Sequence, residues 1–323
     1  MNLLLVEKNS AYKKFHNDVL CERVNHAYLV ISEDEELRKA FFTKACIDLL
    51  CPLADEESAE YNAVLTGNYV EIISVDAKDG LKASNVEGLI ERIGIKPVVG
   101  KYKVVVIDNA DKLHHVVQNK LLKTYEEPPA YVVFFMGTGR EKNLLATIRS
   151  RGKKLYLEDL SPEEITKELI TEGFDEESAS VASAISMGNY GKALKFCMDE
   201  KYRNAFNDTM DVFINMKKSA QVPVFAYKNI FNKENLLQTL DFMEIILSDV
   251  LKETVSSTAP RFTVGREYDL KEISKGFTCD SAQVSINLVN EARKKLNANI
   301  NHTVVTTQLL MGILEAKYKW QRR

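Results

Sequence analysis

The chain has 323 residues, 45% of them hydrophobic and 28% charged, with 43 Lys+Arg against 46 Asp+Glu for a formal charge of −3. That length predicts two or three domains of about 100–150 residues each, and the composition excludes wholesale disorder. The balanced charge argues against a dedicated DNA-coating protein, and the sequence has no run of about 18 apolar residues that would span a membrane. The N-terminal MNLLLVEKNS lacks the basic region and the long apolar core of a signal peptide. Five cysteines, an odd number, then read as reduced thiols, and the expected location is the cytoplasm.

The first half alternates β-rich runs with helical patterns. Tyr28–Ile31 reads as a strand, followed by a helix from about Glu35 to Leu50. Val70–Val75 is a second strand candidate, with a helical stretch near Ala83–Ile93 after it. Lys103–Ile107 carries four consecutive apolar β-branched residues, which suits a strand buried on both faces. A helix over Val116–Glu126 follows, with Val117, Leu121 and Tyr125 on one face, and Pro128-Pro129 stops it. Tyr131–Met136 is another apolar strand, and Lys154–Leu157 reads as an edge strand. Strands separated by helices predict βαβ units and a parallel sheet covered on both faces.

From Ser161 the strand signal fades. Ser161-Pro162-Glu163-Glu164 is a helix start, with an N-cap serine, proline at the first helical position and acids in the first turn. Helical patterns continue to about Phe206, and the remainder is mostly helical: Glu234–Val255, Ser281–Leu296 and Thr303–Lys319, with Thr258–Lys271 as a loop candidate. The layout is an α/β domain over residues 1–158, a small helical domain over 159–206 and an all-helical domain over 207–323.

A parallel α/β domain commonly binds nucleotide where its first helix begins. A phosphate loop there needs glycines for close backbone approach and a lysine to meet the charge. After the first strand this chain has Ser32-Glu33-Asp34-Glu35-Glu36-Leu37, with no glycine and four successive carboxylates that repel a triphosphate but suit a helix N-terminus. Val104–Ile107 ending in Asp108 has the form of a Mg²⁺-holding strand end, but Asn109 stands where a water-positioning glutamate would be. Asp111 reads as a cap of the next helix or turn, and the adjacent His114 and His115 point apart and read as solvated.

Between Lys103 and Gly152 the residues Asp108-Asn109-Ala110-Asp111, Asn119-Lys120-Leu121-Leu122-Lys123, Glu126-Glu127-Pro128-Pro129, Thr138 and Thr147-Ile148-Arg149-Ser150-Arg151 fall in one order and spacing. Together with His26-Ala27-Tyr28-Leu29 they resemble the AAA+ clamp-loader family of bacterial DNA polymerase III, over about residues 25–160 and less clearly to Phe196. The missing phosphate loop makes the chain most similar to the family's delta-prime branch rather than to its gamma/tau motor subunits. The resemblance implies an AAA+ α/β domain with a parallel sheet, a small helical lid and an all-α collar. It also implies a degenerate nucleotide site near Ser32, Asp108, Thr138 at the sensor 1 position and Lys192 at the sensor 2 position, with no cofactor. Many members hold zinc with four cysteines; here Cys51 matches the first, residues 52–68 contain no other, and no metal is expected. Cys46 and Cys51 read as packing residues.

The family's Ser-Arg-Cys motif, which supplies an arginine in trans to ATP on an adjacent subunit, is Ser150-Arg151-Gly152 here. The resemblance therefore implies a non-hydrolysing subunit whose Arg151, beside Ser150, completes a neighbour's ATP site. Its partners would be gamma/tau-type motor subunits and the delta subunit, with the sliding clamp and primed DNA reached through the assembled complex, and no membrane. The alternatives are an active gamma/tau-like AAA+ ATPase, which requires ATP to bind despite Glu33–Glu36, and a stand-alone DNA-binding module.

Overall fold

The computed structural model describes residues 3–81, 84–256 and 262–321. They divide into two compact units, one of residues 1–164 with 189–191, the other of 165–188 with 192–323.

The first unit opens with α1 (Leu3–Lys8) and α2 (Ser10–Leu20), then runs β1 (Ala27–Ile31), α3 (Glu35–Leu50), α4 (Ala59–Leu65), β2 (Ile72–Asp76), α5 (Val86–Gly94), β3 (Lys103–Asp108), α6 (His115–Glu126), β4 (Val132–Thr138), α7 (Ala146–Arg151) and β5 (Lys153–Tyr156). The sheet order is β2-β3-β4-β1-β5, with every pair parallel. This is the parallel α/β arrangement that the alternation of strands and helices predicts. The order follows from handedness: right-handed crossovers put α3 on one face, because β1 to β2 runs in one direction along the sheet. They put α5 and α6 on the other face, because the chain then steps back toward β1.

Alternation along the strands separates two cores. Leu29, Val105, Ile107, Phe134 and Met136 face Leu89, Val117, Leu121 and Ile148 of α5, α6 and α7. The opposite face carries Tyr28 and Phe135, stacked at 5.4 Å, with Phe15, Phe41 and Phe42 packed on them edge-on or tilted. Ten of the sixteen residues of α3 are buried, so this helix lies inside the unit rather than on its surface. The sequence reading did not single out α1 and α2, which cover α3 with short mixed sequences. It also placed β2 one to two residues early.

The second unit is helical among its described residues: α8 (Pro162–Thr171), α9 (Glu176–Ile185), α10 (Tyr190–Met198), α11 (Glu200–Asn215), α12 (Val222–Ala226), α13 (Leu236–Val255), α14 (Glu267–Ser274), α15 (Cys279–Asn297) and α16 (His302–Gln321). The first residues of α8 and α10 belong to the first unit. Ser161 caps α8 as expected, accepting from Glu164 N at 3.2 Å, and the Glu164 side chain completes a reciprocal cap by accepting from Ser161 N at 3.0 Å. Half of the twenty residues of α13 are buried, and Phe242 packs edge-on against Tyr202 and Phe206 of α11. The buried Asp249 accepts hydrogen bonds from Phe262 N and from Thr263 N and Oγ1 at 2.7, 2.6 and 2.9 Å, tying the return segment to this helix. Of the stretch read as a loop over Thr258–Lys271, residues 257–261 lie outside the described set. The loop reading fails at its far end, where α14 begins at Glu267 with acids in its first turn.

Candidate functional site

The C-terminal ends of β1, β3 and β4 converge on Ser32, Asp108 and Thr138, all buried. Ser32 N donates to Thr138 O at 3.1 Å, so two of the residues expected at a degenerate nucleotide site are directly joined. Gly137 permits this closeness, since a Cβ there would stand 2.2 Å from Asp108 Oδ1.

Two side chains, one from α3 and one from its N-cap, fill the space at these strand ends. Arg38, 1% exposed, donates from Nε to Asp108 Oδ1 at 2.7 Å, from one terminal nitrogen to Asn109 Oδ1 at 2.8 Å and from the other to Ser32 O. A guanidinium thus sits against this carboxylate, and both charges are buried together. Asn109, in left-handed backbone conformation, donates in turn to Asp76 Oδ1 at 2.9 Å. Asp34, 1% exposed, accepts from Glu36 N and Leu37 N at 3.0 and 3.1 Å and so caps α3. The same carboxylate accepts from Tyr190 N and from Gly191 N, the latter at 3.3 Å. Its oxygens occupy the N-terminal anion position that phosphate takes in nucleotide-binding α/β domains. Burial pushes the Asp34 carboxyl above the usual range, against the four N–H bonds that favour the anion.

Thr138 Oγ1 donates to Asp111 Oδ1 at 3.0 Å and accepts from Arg140 N at 3.0 Å, a closed local network. Asp111 therefore does not cap the next helix as the sequence suggested. His114 does, its Nδ1 accepting from Val116 N at 3.3 Å, while both His114 and His115 are exposed. Lys192 lies in the second unit, where its ammonium is 3.0 Å from Asp241 Oδ2. Asp241 also pairs with Arg293 at 2.8 Å, and Arg293 reaches Glu244 at 2.8 Å. Cys46 and Cys51 are both buried, as packing residues would be, and burial pushes the Cys46 thiol up to about 12.

The second place of interest is the end of α7. Gln118 accepts from Leu145 N at 2.9 Å and donates to Leu113 O at 3.0 Å, which fixes the start of that helix. Arg151 closes it, with a side chain 56% exposed and Nε 3.4 Å from Glu126 Oε1 at the end of α6. Ser150 is exposed and its hydroxyl donates to Thr147 O at 3.0 Å, within the helix. Gly152, which follows Arg151, has no room for a side chain. A Cβ there would lie 2.4 Å from the Tyr125 hydroxyl and 3.2 Å from Leu29 Cβ, so the buried tyrosine has taken the space.

These two places lie at opposite ends of the sheet. Arg151 precedes β5, whose first residue Lys153 pairs with Tyr28, whereas Ser32 and Asp108 stand at the strands' far ends. A five-residue strand rises roughly 16 Å, so Arg151 does not serve its own chain's cradle.

A sequence profile described as "DNA polymerase III, delta subunit" matches residues 7–161. The chain is 33% identical over 159 residues to the DNA polymerase III subunit tau/gamma of Haemophilus influenzae, a match covering 47% of this chain and 23% of that protein's length. It is 30% identical over 252 residues to the DNA polymerase III subunit delta' of Escherichia coli, covering 76% of this chain and 73% of that protein. Among solved structures, it is similar to a DNA polymerase III gamma subunit-related protein of Thermotoga maritima, with 14% identity and a TM-score of 0.45 over 95% of this chain and all of that one. The sequence relatives show the family: this chain belongs to the clamp-loader subunits of DNA polymerase III.

Proposed function

We propose that the chain is a non-hydrolysing, delta-prime-type subunit of the sliding-clamp loader, acting in the cytoplasm during DNA replication. The observation that carries this reading is the cradle filled from within: Arg38 holds Asp108, and Asp34 holds the N-terminus of α3. A nucleotide would have to displace a buried ion pair and a capping carboxylate at once, at a cost of several kcal/mol before any phosphate contact forms.

The complementary role falls to Arg151. Its planar, permanently charged fork is more than half exposed and held by one long contact to Glu126. In a ring it would be presented to ATP bound by an adjacent gamma/tau-type subunit, where it would stabilise charge developing on the transferred γ-phosphoryl group. Ser150, bonded back into its own helix, would help set that helix end rather than touch the nucleotide. Residues 159–206 would then act as a lid and 207–323 as the collar that joins this subunit to the motor subunits and to delta. The clamp and primed DNA would be engaged through the assembled complex.

The 33% identity to a tau/gamma subunit favours a second reading, an active motor subunit. Two experiments separate the readings. Equilibrium binding of labelled ATP to the isolated chain should show none; saturable binding would establish the motor reading. Clamp- and DNA-stimulated hydrolysis by the reconstituted loader should fall about 10-fold or more with Arg151→Ala while size-exclusion chromatography still shows assembly. Unchanged hydrolysis in an assembled complex would leave Arg151 without the role proposed here.

A further inference from the structure

In the second unit, one lysine is seated among apolar groups. Lys317 of α16 is half-buried, and its ammonium lies 4.8 Å from the centre of the Phe277 ring. Phe277 is buried between α14 and α15, with the buried Phe213 ring of α11 6.4 Å from it. The end of the lysine rests on Gly276, where a Cβ would stand 2.9 Å from Lys317 Cε and 3.2 Å from Nζ. The missing side chain at Gly276 therefore makes the seat.

No acid meets this ammonium. Among the described residues the Lys317 side chain has neither an ion pair nor a hydrogen bond. The positions three and four residues away on its own helix are Ile313, Leu314, Trp320 and Gln321, none of them acidic. Glu272 of α14 is taken by Lys275, which follows that helix. Lys217, after α11, is exposed, and its carbonyl accepts from the Tyr318 hydroxyl, which holds it beside α16. An aromatic face attracts a cation but replaces neither its hydration nor a carboxylate. Burial, and to a smaller extent the like charge of Lys217, hold the Lys317 ammonium below the usual lysine range. A lysine so placed keeps more free amine at neutral pH, the form that acts as a nucleophile.

We propose that Lys317 is an acylation site, modified by small acyl phosphates. The free amine attacks the carbonyl carbon and forms an amide, while the carbon–oxygen bond to phosphate breaks. Phosphate leaves with that electron pair and takes up the proton that the nitrogen loses, so no further reactant is needed. The exposed Lys217 ammonium favours a donor that carries negative charge over an uncharged one. The amide is neutral, so modification ends both the burial of a cation and its repulsion from Lys217. The site is distinct from the filled cradle and does not depend on which clamp-loader subunit the chain is.

The test is incubation of the full chain with acetyl phosphate at neutral pH, with initial rates at each lysine read by peptide mass spectrometry. Lys317 should gain acetyl at least about 3-fold faster than the exposed Lys201 and Lys233, because its free-amine fraction is larger. In the urea-unfolded chain the three rates should converge. Gly276→Ala, whose methyl group displaces the end of Lys317 toward water, should bring its rate down to theirs. Lys217→Gln should slow acetyl phosphate more than N-acetoxysuccinimide, an uncharged acetyl donor. A rate at Lys317 no higher than at the exposed lysines, or an advantage that survives unfolding, would overturn the proposal. So would an undiminished rate in Gly276→Ala, or equal slowing of both donors in Lys217→Gln.

Discussion

Two arginines in the same domain meet carboxylates in opposite ways. Arg38 and Asp108 have side chains 1% and 8% exposed and lie 2.7 Å apart, whereas Arg151 is 56% exposed and 3.4 Å from Glu126. The first pair consumes its charge internally, because burial leaves no other partner and makes either charge alone expensive. The second leaves its charge available, because water already solvates both groups and their contact is worth little. On the proposed function, that difference would separate an end of the sheet closed to nucleotide from an end that offers a cation to a neighbour's.

Chemical denaturation should put numbers on that contrast. Arg38→Ala strands Asp108 and should cost about 3–5 kcal/mol, with Arg38→Met combined with Asp108→Leu recovering most of it. If the single variant costs no more than a surface change, the cradle is not closed by this pair. Asp34→Ala removes the acceptor of four backbone N–H groups and should cost about 1–3 kcal/mol. A similar loss should follow from Gly152→Cys, about 1–3 kcal/mol, because its Cβ enters the space of the Tyr125 hydroxyl. Tyr125→Phe should rescue that cysteine, and by itself should be neutral or stabilising, since the buried hydroxyl has no hydrogen-bond partner among the described residues. Arg151→Ala should change stability by no more than about 0.5 kcal/mol. A larger loss would make Arg151 a structural residue and remove the contrast with Arg38.

Several elements were legible because a short-range pattern fixes them. Val104–Ile107 and Val132–Met136 are apolar β-branched and aromatic runs, and only a strand covered on both faces makes use of them. The end of α6 at Glu126 follows from the prolines after it, and the capped start of α8 from Ser161 and Glu164. The run of carboxylates after β1, with no glycine among residues 32–37, suits the start of α3, where Asp34 caps the helix. The part of Arg38 was missed, although a signal exists: it stands four residues before Phe42 on the stripe that continues to Ala45, Cys46 and Leu49, a cation on a face otherwise buried. Asp111 was misread because an acid before a helix looks the same whether it caps that helix or accepts from a distant hydroxyl such as that of Thr138.

By itself, then, the amino-acid sequence determined which segments are strands, the parallel α/β class, the lack of a glycine-rich phosphate loop and the presence of Ser150-Arg151 before the last strand. Only the tertiary structure decided what fills the cradle, that Tyr125 leaves no room for a side chain at Gly152, and that Arg151 and Asp108 stand at opposite ends of the sheet. The reason is range. Periodicity, caps and turn residues act over a few positions, whereas Arg38 meets Asp108 across 70 residues and Asp34 meets Tyr190 across 156. Those encounters follow from the right-handed crossovers and from what each helix buries, and no local pattern encodes them.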